Sequence, residues 1–105
     1  MKLKDKKIEI LRVISMKDAD GFAVERYEPI HPGRLWAYFR HLSGQEIHAS
    51  GATFAKEQVL FVINWRADVD ARLVVRYGGC LYDITRVDCF EGYRADLSLY
   101  CTGRG

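Results

Sequence analysis

The sequence has 105 residues, with 16 basic and 14 acidic side chains for a formal charge of +2, and is 49% hydrophobic and 12% aromatic. That length fits one domain with a single modest core, and the apolar content excludes the disordered class. A surface this close to neutral argues against a dedicated non-specific DNA binder. No apolar run approaches the roughly 18 residues of a membrane-crossing helix. No signal peptide is expected either, since Glu9 and Arg12 interrupt the segment after the basic start. Cys80, Cys89 and Cys101 are odd in number and form no CxxC pair, which favours a reducing compartment over a disulfide framework. The expectation is a soluble protein made in the cytoplasm, with no membrane partner.

In chain order, Lys2, Lys4, Lys6 and Lys7 supply four of the six lysines. Residues 1–7 read as a disordered, frayed basic terminus, the sharper alternative being an arm that touches phosphate or an acidic partner. Ile8–Met16 is β-branched without Gly or Pro and reads as a strand; the turn Lys17–Gly21 and a returning strand Phe22–Glu28 complete a hairpin ended by Pro29. Leu35–Leu42 is strand-like by its aromatic density, with Trp36 and Tyr38 opposite Leu35, Ala37 and Phe39. Ser43–Glu57 is small and polar, includes Gly44 and Gly51, and has no sustained period, so it reads as one long flexible loop in which Gln45–Ser50 could form a helical turn.

Four more strands follow. Gln58–Trp65 is apolar on both faces, which calls for cover on both; in so small a domain, one cover is expected from a neighbouring subunit. Leu73–Tyr77 and Leu81–Val87 flank Gly78-Gly79, a hairpin signal because both positions accept positive φ. Ala95–Cys101 alternates, with Leu97, Leu99 and Cys101 on its apolar face. The count is six to seven strands, so the fold class is all-β: a small antiparallel β-barrel or sandwich, six-stranded in the form the resemblance below implies, carrying one long loop at about 43–57.

No chemistry stands out. His31, His41 and His48 lie outside any zinc-binding spacing, Cys80 and Cys89 lack an identifiable base, and the glycines match no phosphate-binding loop. No catalytic residue, metal site or cofactor is expected, and an enzyme is disfavoured. The alternative function is a small OB- or SH3-like barrel that binds nucleic acid, with Trp36, Tyr38, Tyr82 and Tyr100 stacking bases beside Arg40, Arg66, Arg76 and Arg86. Against it, such aromatics are more often core and such arginines more often solubilising guards of strand edges.

The order of several short motifs resembles the tailed-phage head closure, or head–tail joining, proteins, a connector family also described as head completion proteins. Trp36-Ala37 runs into Leu42-Ser43-Gly44-Gln45-Glu46. Trp65-Arg66 precedes the turn Asp68–Asp70, Tyr77-Gly78-Gly79 leads to Tyr82-Asp83-Ile84, and the last strand ends in Leu97, Leu99 and Cys101. Asn64 stands where the family often has Arg, and the lysine-rich start also departs from it. The resemblance implies a prophage or phage structural protein acting as a stopper in virion assembly. It would form a homo-oligomeric ring below the portal or adaptor, without needing to be oligomeric in isolation. It would close the exit channel on packaged double-stranded DNA and offer a docking face to a tail-completion or tail protein. Its location would be the host cytoplasm during assembly and then the virion head–tail interface. The resemblance also assigns Ser43, Gly44, Gln45, Glu46, His48, Gly51, Thr53 and Lys56 to a loop that plugs the channel.

Overall fold

The computed structural model of the protein describes residues 3–42, 58–89 and 95–104. Seven strands follow one another through them: β1 Lys6–Lys17, β2 Ala23–Pro29, β3 Leu35–His41, β4 Gln58–Asn64, β5 Val74–Tyr77, β6 Cys80–Cys89 and β7 Asp96–Gly103. All pair antiparallel in the order β2-β1-β3-β4-β7-β6-β5, and an additional pairing of β1 with β5 closes six of them into a hydrogen-bonded circuit. β2 lies outside that circuit, bonded to β1 from Leu11↔Pro29 to Lys17↔Ala23. The six-stranded all-β expectation therefore describes the circuit, and the seventh strand is the return of the first hairpin.

β1 serves three neighbours in succession. Lys6–Ile8 pair with β3, Glu9–Leu11 with β5, and Leu11–Lys17 with β2. Burial follows this division: Ile8, Ile10 and Leu11 are buried, whereas most of the strand beyond them is exposed. Lys6 and Lys7 belong to β1, and Lys4 pairs with Asp96 at 2.9 Å. The frayed terminus expected over residues 1–7 is thus corrected for these three lysines, because β3 and β7 supply partners that local sequence does not reveal.

Period-two alternation fills the core. In β7, Leu97, Leu99 and Cys101 point inward while their neighbours are half-exposed. Phe61 sits at the centre, with ring centroids 5.2 Å from Phe39, 5.7 Å from Tyr77 and 5.6 Å from Tyr82. Aromatic rings at such separations add favourable edge contacts to the area they bury. In β4, Val59, Phe61 and Ile63 join this core, and Leu60 and Val62 on the other face are only 2% and 1% exposed. That exposure refers to one copy of the chain, so the second face of β4 does not require cover from a neighbouring subunit. The sequence pattern was right about burial on both faces and wrong about its source.

The β5–β6 turn follows its residue types. Gly78 and Gly79 have φ of 60° and 81°, the left-handed values that a two-residue hairpin turn requires, and Tyr77 pairs with Cys80 across it. Farther along β6 the ladder to β7 slips between Ile84 and Arg86. Thr85 is the extra residue, and its hydroxyl donates to the Tyr100 carbonyl at 2.9 Å. A bulge of this kind raises the local twist. Nothing lies within 4 Å of a Cβ built at Gly79, so Gly79→Val should destabilise through backbone strain alone, by about 1–2 kcal/mol. Urea unfolding measures it; an unchanged midpoint would mean that the turn tolerates an L-residue in this conformation.

Candidate assembly surfaces

The stretch 43–57 springs from a narrow neck. The Leu42 N–H donates to the Gln58 carbonyl at 3.0 Å, joining the residues on either side of it. One step into the sheet, His41 pairs with Val59. Gln58 is a buried polar residue, 7% exposed, and its Nε2 donates to the Thr102 hydroxyl of β7 at 2.9 Å. The neck is therefore fixed from two directions, by β3 and by β7. The residues assigned to a channel plug, Ser43, Gly44, Gln45, Glu46, His48, Gly51, Thr53 and Lys56, lie outside the described residues.

The remaining family-motif residues divide between core and surface. Tyr82, Ile84, Leu97, Leu99 and Cys101 are buried; Tyr77 and Trp65 pack against the same cluster. Burial pushes the Cys101 thiol well above its ordinary range, which leaves it neutral. Leu42 stands at the neck and Gly78-Gly79 at the β5–β6 turn. Arg66 forms a forked ion pair with Asp68, at 2.9 and 2.7 Å, which straps the turn after β4. Trp36 stands apart as 55% exposed.

Trp36 belongs to a surface at one end of β1. Lys7, opposite it in the β1–β3 ladder, lies 4.8 Å from its ring centroid in a cation–π contact. Two adjoining recesses share Arg34. One, of ≈ 310 Å³, is lined by Trp36, Trp65, Asn64 and Arg66 among others; the second, of ≈ 260 Å³, lies against Lys7, Glu9, Arg76 and the Gly78-Gly79 turn. Glu9 and Arg76 form a forked pair at 3.1 and 3.0 Å across the β1–β5 seam. The Arg76 guanidinium, through that bond, and the more distant Arg34 hold the Glu9 carboxyl below its ordinary value. The aromatic stacking face of the alternative nucleic-acid reading does not form as a unit, because Tyr82 is in the core. Arg66 and Arg76 are tied to carboxylates and Arg86 lies 4.2 Å from the Tyr100 ring centroid.

At the other end of β1, the β1–β2 hairpin extends past the circuit. Asp18 organises its tip, with one carboxylate oxygen accepting from the N–H groups of Asp20 and Phe22, both at 2.9 Å. Arg104 holds the flank of this hairpin. Its guanidinium donates to Glu25 of β2 at 2.8 Å and to Asp83 of β6 at 2.5 Å, and lies 5.7 Å from the Tyr27 ring centroid. Its N–H donates to the Leu81 carbonyl. Sequence reading missed both this clamp and the Glu9–Arg76 pair. The partners are 79, 21 and 67 residues apart in the chain, and no local pattern signals such meetings.

Comparison with known proteins gives a consistent picture. The family model described as phage head completion protein matches residues 4–104. A protein from Shigella flexneri 2a, known from its solution structure, is 25% identical; the match covers 98% of this chain and 96% of that one at a TM-score of 0.70. A chain in the virion of a native gene transfer agent particle is 14% identical, covered at 93% and 92% respectively, with a TM-score of 0.59, and shares the fold. None of the curated proteins matches.

The seam pair makes a pH-dependent contribution of known sign. A carboxyl held below its ordinary 4.5 stabilises the fold above that pH, and the stabilisation disappears as pH falls through the lower folded value. Both partners are partly exposed, so Glu9→Gln should cost no more than about 1 kcal/mol at neutral pH. The two proteins should become equally stable at strongly acid pH. Denaturant midpoints of both at neutral and acid pH test this, and a gap that persists after acidification would assign the loss to something other than the ion pair.

Proposed function

This chain belongs to the phage head completion protein family, which its match over residues 4–104 establishes, and we propose that within the phage head it acts as a ring-forming stopper. Membership makes it a structural component of the head. On the finer reading, copies assemble as a ring beneath the portal or adaptor, close the exit channel on packaged DNA and present a face to the tail. The reading assigns the chain a mechanical role without catalysis, in the virion once assembly is complete.

The observation that carries the proposal is the neck. A segment used as a plug has to be delivered from a fixed base, since a mobile base would spread its copies over many positions. The Leu42–Gln58 hydrogen bond and the part-buried Gln58–Thr102 contact supply such a base. The composition of 43–57 suits the role, because small and Gly-containing stretches allow symmetric copies to approach an axis where bulky side chains would collide.

Replacing 43–57 by a short Gly/Ser linker should leave the strand circuit folded and release DNA from packaged heads. Heads carrying the shortened chain are checked for retained DNA by nuclease protection, and the chain is checked for co-purification with a portal–adaptor complex. Full DNA retention would reject the plug, while co-purification would preserve the connector role.

A further inference from the structure

We propose that copies of this chain join head to tail, the tip of the β1–β2 hairpin of one seating in the Trp36–Arg34 recess of the next. Five large hydrophobic side chains are exposed among the described residues: Leu3, Met16, Phe22, Val24 and Trp36. All of them lie at the two ends of β1. Leu3 precedes the strand and Trp36 is paired with its second residue, whereas Met16, Phe22 and Val24 surround the hairpin tip. Scattered apolar side chains are ordinary on a surface, but the group of three at the hairpin tip is not scattered, and Trp36 at the other end of β1 borders a recess.

The two poles are complementary in charge and shape. The tip carries Phe22, 70% exposed, between Asp18 and Asp20 on one side and Val24 on the other, with Lys17 at its edge and the Arg26 guanidinium 4.0 Å from the Met16 sulfur just behind it. The recess carries Lys7, Arg34, Arg66 and Arg76 against the acids Glu9 and Asp68. Among the described residues of this site, Arg34 and Lys7 are the cations outside the ion pairs with Glu9 and Asp68, and Lys7 lies over the Trp36 ring. An acidic, aromatic projection therefore meets a cationic hollow walled by Trp36 and Trp65. Asp20 has its carboxylate available for Arg34, because the turn is built by the Asp18 carboxylate.

A single copy cannot satisfy its own recess. Lys7 and Lys17 are ten residues apart on one strand, about 33 Å at strand rise, and the β1–β2 ladder keeps the hairpin extended away from the circuit. The complementarity of tip and recess assigns the recess to a second copy. Because tip and recess are different surfaces, the contact is heterologous and repeats, giving rings when the rotation closes. This deepens the ring reading above and rests on it.

The test uses two full-length variants: one with Asp20→Arg and Phe22→Ala at the tip, one with Arg34→Asp and Trp36→Ala in the recess. Sedimentation velocity should show wild-type self-association up to about 1 mM, where even a weak contact is half occupied. Each variant alone should associate about 10-fold or more weakly. Mixed together they should form dimers and nothing larger, since each retains one working pole. All affected positions are exposed, and unchanged circular dichroism and urea midpoints confirm folding. A wild-type chain that stays monomeric, variants that associate as the wild type does, or a mixture that fails to pair overturns the contact. So does saturable binding of a single-stranded oligonucleotide in the recess, without self-association, that the recess variant loses. The ring reading is judged separately: it fails if heads lacking the chain keep their DNA, whatever the sedimentation result.

Discussion

The β1–β5 seam is the constraint on which the rest of this molecule depends. Without Glu9–Leu11 against Arg76–Val74, the six remaining pairings describe an open sheet with β2 and β5 at its edges. Edges of that kind expose unpaired backbone groups and invite uncontrolled association. With the seam made, the inward faces of the strands enclose one core, and Ile10 and Val75 are both buried. The polar side of the seam is held by the Glu9–Arg76 fork, a modest contributor to stability that fixes geometry more than energy.

Closure also explains why β1 is so long. The circuit uses its first half, and the second half has no circuit partner left to pair with. It can persist only by recruiting β2 as a private partner, and the result is a projecting hairpin. Arg104 then braces that projection against β6 through Asp83 and against β2 through Glu25. An assembly protein gains from such an arrangement. The core is enclosed by the circuit, and on the proposed head-to-tail contact the braced projection carries Phe22 and Asp20 toward the recess of the next copy.

The same economy is visible at the neck of 43–57. Burying an amide is unfavourable unless it is hydrogen-bonded, and Gln58 meets that condition through Thr102. A part-buried polar pair at this position supports the register of β4 against β7, with Gln58 opposite Thr102 at the start of seven successive pairings. Slipping the strand by one residue would turn Val59, Phe61 and Ile63 out of the core and leave the amide unsatisfied. The base of the longest connection in the chain is therefore one of its most strongly specified points.

Much of this architecture is legible in the amino-acid sequence. Alternation in Asp96–Cys101, continuous apolarity in Val59–Ile63 and the paired glycines at 78 and 79 each encode a local conformation, and each is found where the pattern places it. The family, too, is written in the order of its short motifs. Strand ends were less readable: β1 starts at Lys6 because β3 extends the ladder there, and no intrinsic preference of lysine announces it. Tertiary structure alone decided that β1 would meet β5, that Arg104 would join Glu25 to Asp83, and that Tyr82 would turn inward while Trp36 stayed exposed. The physical reason is that periodicity states which residues share a face, whereas the neighbour across that face depends on register and closure, which are properties of the whole sheet.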